Sequence, residues 1–215
     1  MFYLVAWPNE ARDLGFWPAH PPSFRTSIDR YSSETAEVAR CLLEFIMAKN
    51  MGADPASLHA TDVPRPTTGS SDEPLPAMPA SQQSVGHVAS HRRCRPDTVN
   101  DMPGLQIRRD GKWFAVDALD GALVLIVGDI LEILSNGKCR CVVHQAAVHP
   151  SRERMSAAVF HRPCLGAVVG PLPEPVKDGG GRARYRSIGY LDFMKRYFSA
   201  KLDGLNHLDI LKIDL

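Results

Sequence analysis

The spacing of apolar positions changes along the chain. Phe24, Ile28, Tyr31, Val38, Leu42, Phe45 and Ile46 recur near helical spacing, with Arg25, Glu34, Glu37 and Glu44 among the polar positions. This predicts one long helix from Ser23, a candidate N-cap, to about Asn50, with Gly52 as its stop. Pro18, Pro21 and Pro22 mark an irregular lead-in before it. The helix reads as scaffold packing on a sheet, and nothing in Met1–Leu58 carries chemistry.

Beyond Met102 the elements shorten. Leu105–Arg108 and Trp113–Val116 read as strands around Asp110-Gly111, a strong hairpin signal. Ala122–Val127 is a continuous apolar run between glycines, hence a buried strand. Asp129–Leu134 reads as a short helical turn closed by Ser135-Asn136-Gly137. The next strand carries Cys139 and Cys141 on one side, as small packing residues, and its apolar run ends at His144. Arg154 and Ser156 open a further run, and period-two alternation puts both on one face of a strand.

Pro163–Pro175 reads as a loop. Asp178–Arg184, with three consecutive glycines, reads as a solvent loop; a phosphate cradle would need a strand-to-helix context. Tyr190–Leu202 alternates Phe193, Met194, Tyr197 and Phe198 with Lys195, Arg196 and Lys201, an amphipathic helix. Many short strands with glycine-rich turns, flanked by helices, argue a mainly β sandwich or barrel.

Between these parts the pattern collapses. Pro64, Pro66, Pro74, Pro76, Pro79 and Pro96 punctuate a Ser-, Thr- and Ala-rich stretch with no period. The chain therefore divides into a helical part at 1–60, an irregular segment at 61–99 and a β domain with a C-terminal helix at 100–215. An irregular insert of this length is unusual inside a compact domain.

Composition narrows the class. The chain has 215 residues, 44% of them apolar, enough for one globular core. Its 25 basic and 24 acidic residues leave a net charge of +1, so no field favours nucleic acid or an anionic membrane. Five cysteines without framework spacing argue against a disulfide scaffold and fit the cytoplasm. No apolar run reaches the roughly 18 residues of a membrane span, and Met1–Val5 lacks the basic start of a signal peptide.

The candidate chemistry is compact. A guanidinium and a hydroxyl side by side, Arg154 and Ser156, suit a carboxylate, the first by paired hydrogen bonds and the second by one more. His144 nearby is a natural ligand for a divalent metal. Taken singly, a histidine after an apolar run and an Arg-x-Ser are more often structural.

The wording around these residues resembles the plant iron(II)/2-oxoglutarate-dependent dioxygenases, nearest the senescence-related and norcoclaurine-synthase-like branch. The matching pieces are PGLQI, DGKW, GDILEILSNG, His144, and Arg154-x-Ser156, continuing through GPLPEPV to YLDFMKRYFSAKLDGLNHLDILKI. The resemblance covers Met102–Leu215 well and Met1–Leu58 moderately. It implies a double-stranded β-helix, or jelly roll, here incomplete, and a start cut short relative to the family. It implies that His144 is the distal iron ligand and that Arg154 with Ser156 hold the far carboxylate of 2-oxoglutarate. Gln145 and Ile126 depart from the family's usual arginine and asparagine, neither at a ligand position.

The resemblance fails across 61–99, where the family carries YPPC and the H-x-D pair supplying the other two iron ligands. Shifting the reading by one base permits both. Methionine has a single codon, so Met78-Pro79 forces a cysteine codon in the shifted frame, and Leu75–Ala80 permits YPPCRQ. Gln82–Asp97 permits SKVLGMSPHTDAAALT. Residues from about Thr61 to Thr98 thus read as translated out of frame, through a sequencing error, a mis-drawn splice junction or a frameshift allele. This also accounts for His87, His91 and Cys94, whose spacing imitates half a zinc site.

The implied parent activity is oxidation of a small plant metabolite with iron(II) and 2-oxoglutarate, with neither nucleic acid nor membrane as partner. As written, one of three iron ligands remains, so the expectation is an inactive polypeptide. The alternatives are a non-catalytic jelly-roll remnant that binds a partner, and a gene-model artefact.

Overall fold

The computed structural model describes residues 12–55, 87–90, 104–117, 119, 122–147, 151, 157–199 and 207–213. After a short 3₁₀ turn at Leu14–Phe16, helix α1 (Phe24–Ile46) runs 23 residues and continues as a wider turn over Met47–Met51. Gly52 ends it in the left-handed conformation, φ 63°, as its lack of a Cβ allows. The other end departs from expectation. Ser23 already has helical torsions and makes no side-chain cap bond, and the turn is closed by the Phe24 N–H on the Pro21 carbonyl.

The inward face of α1 is also rotated from the apolar count. Thr35, Ala39, Met47 and Met51 are buried, whereas Val38 and Phe45 are exposed. Positions 38 and 45 each lie one residue, about 100° of helix, before the buried seam at 39 and 46–47. Thr35 tolerates burial because its hydroxyl donates to the Tyr31 carbonyl at 2.8 Å.

Two three-stranded antiparallel sheets follow. Strand β1 (His87–Ser90) lies between β4 (Leu123–Ile126) and β6 (Ala157–Phe160). Strand β2 (Leu105–Arg109) lies between β3 (Lys112–Ala115) and β5 (His144–Ala146). Together they form an incomplete jelly roll, mainly β with flanking helices. The β2–β3 turn is the one expected: Asp110 and Gly111 both have positive φ, 50° and 75°.

Strand β1 corrects the expectation of an irregular 61–99 at four of its residues. A central strand is held through backbone N–H and C=O groups, which need no apolar period. Its neighbours in sequence lie outside the described residues.

Helix α2 (Asp129–Leu134) is buried along its whole length, its acids Asp129 and Glu132 included. Full burial of each apolar side chain here contributes roughly 1.5–3 kcal/mol. Strand β7 (Val168–Val169) pairs with β8 (Ile188–Gly189), and between them lies α3 (Pro173–Asp178). The expected loop over 163–175 is thus partly strand and helix. Pro173 and Pro175 suit the first helical turn, where no backbone donor is required.

Helix α4 (Tyr190–Ser199) buries Tyr190, Phe193 and Met194 in the common core with α2, Met47 and Leu208, leaving Lys195 outside. Residues 182–186 are stitched to 211–213: Arg186 N–H donates to the Leu211 carbonyl and Ile213 N–H to that of Arg184, both at 2.8 Å. No described helix is long and apolar enough to cross a membrane.

Candidate functional site

His144 opens β5 and stands opposite Ile107 of β2, half-buried. Its Nδ1 lies 2.9 Å from the Val142 carbonyl oxygen. A carbonyl only accepts, so Nδ1 is the donor in this contact. The backbone bond orients the ring, as the partners behind metal-ligating histidines do.

The strand was expected to include Cys139 and Cys141, but it begins at His144. The preceding amides are already engaged. Cys139 N–H donates to Ser135 Oγ at 3.0 Å, and Cys141 N–H donates to Glu132 Oε2 at 2.6 Å. The other oxygen of Glu132 accepts the Tyr185 hydroxyl at 2.6 Å. Burial, then the hydrogen bond to this carboxylate, pushes the Tyr185 hydroxyl's pKa up. Burial first, then the charges of Asp129 and Glu132, pushes the Cys141 thiol well up, which suits its packing role.

Arg154 and Ser156 lie outside the described residues. The elements beside them are described. Ala157, directly after Ser156, begins β6 and pairs with Ser90, the last residue of β1. His144 belongs to the other sheet, β3–β2–β5. His91 and Cys94 also lie outside, and His87 is placed only as a backbone position opposite Ile126 and Phe160. Gln145, the departure beside His144, donates its amide to Gln106 Oε1 at 2.8 Å across the strand pair. Ile126, the other departure, is buried.

A literal H-x-D occurs elsewhere, at His207-Leu208-Asp209. It sits in a short 3₁₀ turn. Asp209 is exposed and accepts from Lys212 Nζ at 2.6 Å. This is a surface ion pair. Among the described residues no three His, Cys, Asp or Glu side chains gather as a metal site.

Sequence reasoning missed Glu132 and Tyr185. They are 53 positions apart, and only the fold brings their side chains together.

Comparison with known proteins adds a second line. The family profile described as the 2OG-Fe(II) oxygenase superfamily matches residues 97–163. The 2-oxoglutarate-dependent dioxygenase 11 of Oryza sativa subsp. japonica is 49% identical over 218 residues, covering 100% of this chain and 60% of the relative. S-norcoclaurine synthase 1 of Coptis japonica is 37% identical over 217 residues, covering 99% of this chain and 60% of the relative. The chain thus spans about 60% of the length of these curated relatives. A crystal structure of JOX2 in complex with 2OG, Fe and JA shares the fold, with a TM-score of 0.78 at 22% identity, covering 98% of this chain and 63% of that one.

Proposed function

The chain belongs to the 2-oxoglutarate- and iron(II)-dependent oxygenase superfamily, and from that premise we propose that it descends from a cytoplasmic enzyme oxidising a small plant metabolite. We propose further that, as written, it holds one iron ligand of three. Iron(II) and 2-oxoglutarate are the family's metal and co-substrate. Bound together, they couple dioxygen reduction and decarboxylation of 2-oxoglutarate to succinate with oxidation of the substrate.

The observation that carries the reading is His144. Its Nδ1 donates to the Val142 carbonyl, a bond that would orient the ring to present Nε2 to a metal. Arg154 and Ser156 would bind the far carboxylate of 2-oxoglutarate, the guanidinium by two parallel hydrogen bonds and the hydroxyl by a third. The partners for His144 are absent from the wording at the corresponding place: His87-Val88-Ala89 and His91-Arg92-Arg93 supply no carboxylate two residues after a histidine. One imidazole does not hold ferrous iron against water in the facial geometry that exposes adjacent sites.

One fact supports the shifted frame over 61–98: the family profile begins to match only at residue 97.

The test is succinate release from 2-oxoglutarate with iron(II) and ascorbate. The chain as written gives none. A frame-restored version carrying YPPC and H-T-D, completed to the relatives' length, recovers iron binding and turnover. Clear turnover by the unrepaired chain overturns the reading, because other residues would then complete the iron site. Re-sequencing the transcript across the codons for Leu58–Val99 tests the frame directly.

A further inference from the structure

We propose that Glu132 is a positioning residue for His144, acting through the backbone at Cys141; the proposal rests on His144 being the metal ligand. Glu132 is 7% exposed, and its carboxylate takes one donor on each oxygen, the Tyr185 hydroxyl on Oε1 and the Cys141 N–H on Oε2, both at 2.6 Å. A carboxylate accepting from two sides in a dry setting has little freedom to move. It stands on α2, whose apolar residues Ile130, Leu131, Ile133 and Leu134 are all core. The anchor is therefore rigid.

What it holds is the arm leading to the ligand. Only the torsions of Cys141 and Val142 separate the fixed Cys141 N–H from the Val142 carbonyl that accepts from His144 Nδ1. Beyond that, the Val143 carbonyl is fixed by the Arg108 N–H at 2.8 Å, so the arm is pinned at both ends. Freeing the Cys141 end lets the Val142 carbonyl turn away. The imidazole then loses a bond that favours the Nδ1-protonated tautomer and orients the ring.

A carboxylate that merely stabilised the core would affect folding and leave the imidazole alone. The test therefore reads the ring. The tautomer of His144 is measured by nitrogen NMR on the folded chain without metal, its signal assigned by loss in His144→Asn. The parent chain has the proton on Nδ1. Glu132→Ala, folded, shifts His144 toward a mixture with the proton on Nε2. Glu132→Gln, which keeps an acceptor for the Cys141 N–H, restores the parent state. Leu134→Ala, a packing loss on the same helix, leaves the tautomer unchanged.

An unaltered tautomer in folded Glu132→Ala overturns the proposal, and so does an equal change in Leu134→Ala. Should Glu132→Ala not fold, Tyr185→Phe loosens the carboxylate from its other side. A partial shift there supports the proposal, and no shift overturns it. In the frame-restored protein, Glu132→Ala weakens iron(II) binding by about 10- to 100-fold, the range for partners behind metal ligands. Because the tautomer is read without iron or turnover, it can fail while the activity reading stands, and the reverse.

Discussion

Asn136 accepts the Arg184 N–H on its side-chain oxygen at 2.7 Å, and its amide donates to the Arg182 carbonyl at 2.9 Å. One buried side chain thus ties the turn after α2 to a segment 46 to 48 positions away. Asn136 also has φ 51°, in the left-handed region that asparagine enters more readily than most residues. The turn that the sequence marks as Ser-Asn-Gly is therefore both a chain reversal and a latch.

This makes Asn136→Ala costly. It removes two hydrogen bonds, strands the Arg184 N–H and forces an alanine into the left-handed region. The expected loss is about 2–4 kcal/mol in urea unfolding. Asn136→Gly loses the same bonds without the backbone strain, so it should be milder by about 1 kcal/mol. Equal losses would mean that the torsion contributes nothing.

His161 follows β6 directly, and burial lowers its pKa from the ordinary value near 6.5. The fold therefore favours the neutral ring. An unfolded chain protonates it first, so the contribution is present above about 6.5 and is lost as pH falls through the folded value. Thermal unfolding between about pH 7 and 5 should show this acid-side slope reduced in His161→Gln. An unchanged slope would assign the acid sensitivity to other groups.

The alkaline side belongs partly to Tyr197, which burial, and then Asp129 and Tyr190, push up to about 12. The neutral phenol is favoured in the fold, so its contribution is complete below the unfolded value near 10 and is lost as pH rises from there through about 12. Tyr197→Phe should flatten the stability curve over that interval. A curve as steep as the parent's would contradict the assignment.

In the frame-restored protein, Arg154→Ala should raise the concentration of 2-oxoglutarate needed for half-maximal succinate release at least tenfold, leaving iron(II) affinity within about twofold. The change removes the carboxylate's cationic partner and touches no metal ligand. Parallel loss of both affinities would place Arg154 in the fold rather than in the clamp.

Much of the fold is legible because it is local. Asp110-Gly111 specifies its hairpin through torsions that these two residues reach most readily. Gly52 stops α1 for the same kind of reason. The strand at 123–126 and the helix at Asp129–Leu134 follow from period and flanking turns. The strand is not buried as its apolar run predicts: Leu123 and Leu125 are exposed and only Ile126 is buried, because one face of an antiparallel sheet can remain uncovered. The candidate site was legible in types of residue, since a histidine and an Arg-x-Ser pair carry their chemistry with them.

Tertiary structure decided the rest. The seam of α1 includes Thr35 and excludes Val38 and Phe45, because the neighbouring core fixes the rotation of the helix and apolar count alone does not. Strand β5 starts at His144 because side chains on α2 and in the following turn have already taken the amides of Cys139 and Cys141. Glu132 looks in the sequence like one acid in an amphipathic stretch. Only folding sets it between Tyr185 and Cys141, since a contact across 53 positions leaves no period in the chain and depends on where packed elements bring their side chains.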